Sequence, residues 1–212
     1  MTRIILVRHG QSEANLSKTF AGNTDAPLTA IGRAQAEAVA AYLFKREKID
    51  VVITSDLSRA RDTGAAVAKR FQAPHLLAPA LREIAAGEWE GESYEYLDTR
   101  YSEARALWKT DLKNAYCTGG ETLREVFARV SAALQRILEE HEGKTVLIAS
   151  HWTPILCAVC YLHGKDLDSV SDFPSPTTCS LQFFRYENGN FTTEALNVTD
   201  HLGELHSAYH QA

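Results

Sequence analysis

The sequence predicts an α/β fold, a three-layer α/β/α sandwich around a mostly parallel sheet, and three observations carry that expectation. The short apolar runs Ile4–Val7, DVVIT at 50–54 and TVLIA at 145–149 have the length and β-branched content of buried strands. Each leads towards a segment with helical signals, and strand-then-helix alternation builds a parallel sheet. Near the C-terminus, CSLQFFRY and FTTEALNV flank Glu187, Asn188 and Gly189, a hairpin signal that adds at least one antiparallel strand.

Taken in order, the first strand breaks directly into Arg8, His9 and Gly10. Gly10 lets the backbone leave the strand with no Cβ in the way. Gly22, Asn23, Asp25 and Pro27 mark residues 16–28 as a loop. Thr29 then caps a helix over about 30–48, with Ile31, Ala34, Ala38 and Tyr42 on one face. The second strand ends in Ser55 and Asp56 and leads into a helix at 58–71, and residues 74–82 hold a third strand before Glu83. Residues 92–114 are aromatic and charged without a clean period, which reads as a helical cap or insertion at about 92–118 within one domain spanning 1–212.

Thr122 starts the clearest helix, with Leu123, Val126, Phe127, Val130, Leu134 and Ile137 at i, i+3, i+4 spacing through about residue 138. The TVLIA strand runs straight into Ser150, His151 and a helix at about 153–163. Residues 200–212, with His201, His206 and His210, read as a solvated polar tail.

Composition narrows the function. A chain of 212 residues buries roughly 70% of its unfolded surface, enough for a core without disulfides or metals. Cys157 and Cys160 lie in apolar sequence with no second close pair, so the four cysteines read as buried hydrophobes. A net charge of −5 argues against nucleic-acid or anionic-membrane partners, which want a basic surface. The N-terminal apolar run is too short for a signal peptide or a membrane span, so a cytoplasmic location is expected. Nothing in the sequence fixes an oligomeric state.

The polar residues that follow the strands share a pattern. Arg8 and His9 follow the first, Ser55 and Arg59 the second, and His151 the TVLIA strand; parallel strands bring these ends to one edge of the sheet. Two guanidiniums and two imidazoles suit a doubly charged, oxygen-rich group, which means phosphate. Helix amino ends after Ser55 and His151 are expected to add backbone N–H groups. The sequence has no Walker-type or GxGxxG motif and no carboxylate cluster with metal spacing, so the expected phosphoryl transfer uses no metal and no cofactor and needs a nucleophile of its own.

These residues carry a resemblance. Arg8-His9-Gly10 with Ser12 and Asn15; Asp25, Leu28, Thr29 and Gly32; Ser55-Asp56-Leu57 with Arg59-Ala60 and Thr63; Leu81-Arg82-Glu83-Ile84 with Gly87, Trp89, Glu90 and Gly91; Gly120-Glu121; and Ser150-His151 with Pro154-Ile155 follow one another in the order of the histidine phosphatase superfamily. Over about residues 3–160 the chain resembles these phosphoglycerate-mutase-like proteins and, with SEAN after RHGQ, their phosphatase branch.

The resemblance implies that His9 attacks phosphorus and becomes phosphohistidine. Arg8, Arg59, His151 and Asn15 would hold the equatorial oxygens, and Glu83 would protonate the leaving alkoxide and then deprotonate water. Gly22 and Trp152 complete the candidate substrate-binding set. Trp152 and Thr153 depart from the small residues usual after the second histidine, so the indole either shapes the substrate side or packs into the sheet. The implied activity is hydrolysis of a small phosphorylated metabolite. The alternatives are a cofactor-dependent phosphoglycerate mutase, which needs a richer basic lining, and a non-catalytic binding or regulatory module on the same fold.

Overall fold

In chain order the computed structural model, which describes residues 1–206, runs β1 (Thr2–Arg8), α1 (Glu13–Ser17), α2 (Ala30–Phe44), β2 (Val51–Thr54), α3 (Ser58–Phe71) and β3 (His75–Leu77). It continues through α4 (Tyr94–Arg100), α5 (Ser102–Thr110), α6 (Leu123–Glu140), β4 (Thr145–Ser150), α7 (Trp152–Leu162), β5 (Leu181–Glu187) and β6 (Asn190–Val198). The six strands form one sheet in the order β3-β2-β4-β1-β5-β6. β3, β2, β4 and β1 are parallel, while β5 runs antiparallel to β1 and β6 antiparallel to β5.

The period-two geometry of a strand explains the layers. Ile4, Leu6, Val51, Ile53, Val146 and Ile148 enter the core on the face covered by α6 and α7. Their neighbours Ile5, Val7, Val52, Leu147 and Ala149 enter the other core with Val39, Leu43 and Val67 of α2 and α3. Both faces are therefore buried, which is why these strands read as continuous apolar runs. Asn188 and Gly189 take φ of 52° and 81° in the hairpin turn, the left-handed pair a two-residue turn requires. Among the described residues no helix is long and apolar enough to cross a membrane.

Four details differ from the sequence reading. The loop expected at 16–28 is preceded by and overlaps the short helix α1, held by a capping box between Ser12 and Asn15 that five residues of mixed polarity do not advertise. α2 stops at Phe44 rather than about 48, and its phase is rotated: Gly32, Gln35, Ala36, Val39, Ala40 and Leu43 are buried, while Ile31 is 47% exposed. An alanine-rich helix has no dominant apolar stripe to fix that phase. The third strand shrinks to three residues at the sheet edge, with Leu76 and Leu77 exposed.

The tail is docked in its first part. Asp200–Leu205 forms a 3-10 turn, Leu202 is buried, His201 donates through Nε2 to the Cys179 carbonyl at 3.0 Å, and Gln35 of α2 donates to the Leu205 carbonyl at 2.8 Å. His206 is exposed as expected, and His210 lies outside the described residues.

Backbone contact fixes the exit from β1. A Cβ on Gly10 would lie 2.5 Å from the Gly32 carbonyl oxygen, and one on Gly32 would lie 2.0 Å from the Gln11 carbonyl oxygen. Only glycine at both positions lets the start of α2 sit against the loop that carries His9. Gly32→Ala should therefore lower stability by about 2 kcal/mol despite alanine's better helix propensity, a fall in Tm of roughly 4–8 °C by calorimetry. An unchanged or higher Tm would show that this contact yields without strain.

Candidate active site

The ends of three parallel strands are tied together by backbone hydrogen bonds. His9 N–H donates to the Ser150 carbonyl at 2.9 Å, and Ser55 N–H to the Ala149 carbonyl at 3.0 Å. His9, Ser55 and His151 are thereby neighbours for the reason the topology gives: each is the first or second residue beyond a central strand. Thr63 of α3 adds a further tie, accepting from Gly10 N–H at 3.1 Å and donating to the Arg59 carbonyl at 2.7 Å.

Arg8 and Arg59 are 3% and 1% exposed, and they donate hydrogen bonds to backbone carbonyls rather than carboxylates. Arg8 donates through Nη1 to Pro176 O at 2.9 Å; Arg59 donates to Thr24 O at 2.9 Å and Gly22 O at 2.7 Å. Burial lowers the pKa of both, while the charge of Glu83 acts the other way. Arginine stays protonated regardless. The result is a pair of desolvated positive charges held by neutral dipoles, and a site of this kind is stabilised by an anion.

The two imidazoles lie beside this pair, with ring centroids 5.1 Å apart and planes at 60°. Burial first, then the charges of Arg59 and Arg8, hold His9 well below its ordinary pKa; burial, Arg59, His9 and Arg8 do the same to His151. Neutral rings have one N–H each, and the partners decide where it is. A carbonyl can only accept, so the 2.7 Å contact between His9 Nδ1 and Gly10 O places the proton on Nδ1 and leaves the lone pair on Nε2. His151 Nε2 meets Ser55 Oγ at 2.8 Å. Ser55 Oγ already accepts from Leu57 N–H at 3.3 Å and is fully buried, so its own proton is best used on His151 Nε2. That leaves His151 Nδ1–H, buried and with no hydrogen-bond partner among the described residues, as a donor for a ligand.

Glu83 is half-buried, accepting from Ile84 N–H at 2.9 Å and from Thr153 N–H at 3.3 and 3.4 Å to its two oxygens. Arg129 of α6 fixes the segment that carries it, donating to the carbonyls of Ala80, Arg82 and Glu83 and to Glu121. The helix amino ends thus differ from expectation. Ser58 N–H at the start of α3 is taken by Asp25 at 2.8 Å, and Thr153 N–H at the start of α7 by Glu83, so these groups orient side chains instead of facing a ligand.

All the expected site residues meet in or around one cavity of about 350 Å³: Arg8, His9, Asn15, Gly22, Arg59, Glu83 and Trp152 line it, and His151 lies against His9. Asn15 spends its side-chain oxygen on the Ser12 N–H and hydroxyl, each at 3.0 Å, which leaves its NH2 for the cavity. Gly22 has φ +49° and holds Arg59 through its carbonyl. The indole of Trp152 faces the cavity rather than the sheet.

Phe20, Tyr94, Arg105, Trp108, Lys109 and Ser175 also line the cavity, and sequence reasoning left them unassigned. The i, i+3, i+4 spacing of Arg105, Trp108 and Lys109 on α5 was the available signal. Among the described residues no group of three or more His, Cys, Asp or Glu side chains is arranged to hold a metal ion.

Known proteins are similar to this chain in sequence and in fold. Residues 4–199 match the histidine phosphatase superfamily (branch 1). Phosphoserine phosphatase 1 of Hydrogenobacter thermophilus is 31% identical over 212 residues, covering 100% of both chains. The adenosylcobalamin/alpha-ribazole phosphatase of Salmonella typhimurium is 34% identical over 149 residues, 70% of this chain and 73% of that protein. Among solved structures, Bacillus stearothermophilus YhfR superposes with a TM-score of 0.89 at 26% identity, over 95% of this chain and 100% of that one. The mycobacterial glucosyl-3-phosphoglycerate phosphatase complexed with VO3 superposes with a TM-score of 0.86 at 25% identity, over 93% and 99%. With its match running through nearly the whole sequence, the chain belongs to the histidine phosphatase superfamily.

Proposed function

We propose that this phosphomonoesterase hydrolyses small phosphomonoesters through a phosphohistidine on His9, with Glu83 as acid and base and without a metal or cofactor. The observation that carries the reading is the 2.7 Å contact between His9 Nδ1 and the Gly10 carbonyl: an acceptor there calls for Nδ1–H, so the Nε2 lone pair belongs to a neutral imidazole set among buried cations. In the first step Nε2 attacks phosphorus; the P–N bond forms, the ester P–O bond breaks, and the Glu83 proton passes to the leaving oxygen. In the second, Glu83 takes a proton from water, the water oxygen attacks phosphorus, the P–N bond breaks, and inorganic phosphate leaves with His9 neutral again.

Arg8, Arg59, His151 Nδ1–H and Asn15 supply donors to the phosphoryl oxygens, where each oxyanion donor in such a site is worth about 10²–10³ in rate. These groups do the charge compensation that a metal ion supplies elsewhere. Phosphatase relatives named for phosphoserine and alpha-ribazole support a small phosphorylated metabolite as substrate. The placing of Arg105 and Trp108 on the cavity wall supports α4 and α5 as a cap over the site within a single catalytic domain.

In EDTA, the wild type should release phosphate from both p-nitrophenyl phosphate and an alkyl phosphate, and His9→Ala from neither. Glu83→Gln should slow the alkyl ester by about 10²–10⁴-fold and the nitrophenyl ester far less, because nitrophenolate leaves without a proton. Turnover by His9→Ala equal to wild type, or activity lost on chelation, would overturn the mechanism; equal losses on both esters would move the acid to another residue.

A pH dependence follows from the burial of the two imidazoles and from the same cations. The folded chain holds His9 and His151 neutral well below the value of 6.5 at which the unfolded chain protonates them, so the unfolded state binds more protons as the pH falls. Unfolding free energy should therefore rise with pH across about 5 to 7, and rise less steeply in a His9→Asn, His151→Asn double variant. Identical slopes would mean that the imidazoles are not held neutral.

A further inference from the structure

The cavity continues beyond the phosphate cradle, and its outer wall is aromatic. Trp152, the first residue of α7, and Trp108 of α5 line it together with Phe20 and Tyr94. Each indole has its polar atom anchored: Trp152 Nε1 donates to Ser175 Oγ at 2.8 Å and Trp108 Nε1 to Tyr116 O at 3.0 Å. Their ring centroids are 6.2 Å apart with planes at 36°, and Trp108 stands edge-on to Phe20 at 5.6 Å. A ligand ring inserted between two aromatic faces needs them about 7 Å apart. The indoles are therefore one pinned wall for a ring to lie against, not a pair of jaws.

Charge narrows the choice further. The outer cavity carries Arg105 and Lys109, which share Asp98 at 2.8 and 3.0 Å, and Glu83 is the one acidic side chain in the described lining. A substrate bearing an ammonium group would meet like charge there without a carboxylate of its own.

We infer that the alcohol half of the natural substrate carries a planar unsaturated ring and no ammonium group, the ring lying on the Trp152–Trp108 wall while the phosphate occupies the Arg8–Arg59 cradle. This rests on the phosphomonoesterase reading and deepens it. Because Trp152 directly follows His151, the ring and the ester oxygen are joined by a short linker.

The test compares kcat/KM for 2-phenylethyl phosphate, n-butyl phosphate and O-phosphoserine in the wild type, Trp152→Leu and Trp108→Leu. The first two esters have alcohols of similar acidity, and leucine keeps apolar volume while removing the aromatic face. Folding of both variants is checked by circular dichroism. The wild type should favour the phenylethyl ester over both others by about fivefold or more, and each variant should narrow the phenylethyl-to-butyl ratio towards one. The same order should appear in Kd for 2-phenylethylphosphonate and butylphosphonate, a measurement that needs no turnover. A wild-type ratio near one, a ratio unchanged in both variants, or preference for phosphoserine would overturn the inference. If no ester is turned over while the phosphonates still bind in the expected order, it is the phosphatase reading that fails and the ring site that stands.

Discussion

Two guanidiniums sit at the centre of the molecule with carbonyl dipoles rather than carboxylates as their hydrogen-bond partners, and much else follows from that constraint. Burying such charges is unfavourable unless an anion arrives. The loop at 22–25 holds one of these charges in place: Gly22 and Thr24 give their carbonyls to Arg59, and Asp25 caps the helix on which Arg59 rides. Pro176, far along the chain, does the same for Arg8. Burial first, and then the positive potential of these residues, holds His9 and His151 deprotonated. One arrangement thus gives both affinity for a phosphoryl group and a neutral nitrogen able to attack it.

The sheet makes that arrangement reproducible. β1, β4 and β2 are adjacent and parallel, so their carboxyl ends share an edge, and backbone bonds from His9 and Ser55 lock the register there. Positions on such rigid elements vary less than positions on loops, as a reaction sensitive to fractions of an ångström requires. Glu83 is the exception, carried by a loop; Arg129 compensates by gripping the carbonyls of Ala80, Arg82 and Glu83 from α6.

The central strands were legible because burial on both faces leaves an uninterrupted apolar signature, and α6 because its stripe is strong and its capping box explicit. The phase of α2 was not legible, since alanine and glycine fit either side of a helix and the deciding contact, Gly32 against Gln11, is between backbones distant in sequence. His9, His151, Arg8 and Arg59 could be placed from strand ends alone. Tyr94 and Ser175 could not, because their approach to the cavity depends on how the cap and the segment before β5 fold back over the site, and Arg129 could not, because the carbonyls it holds lie 46 to 49 residues before it in the chain. The docking of His201 beneath the tail escaped for the same reason: polar sequence describes composition, and the Cys179 carbonyl that holds this ring lies 22 residues away.

The central claim is that His9 Nε2 becomes transiently bonded to phosphorus. Rapid acid-free quenching of the enzyme with a ³²P-labelled phosphomonoester, followed by proteolysis and mass spectrometry, tests it most directly. An acid-labile, alkali-stable phosphoryl group should form on the peptide containing His9, at rates of formation and loss that support turnover, and should be absent from His9→Ala. Label on another residue, or full turnover with no phosphoenzyme formed at a competent rate, would contradict it.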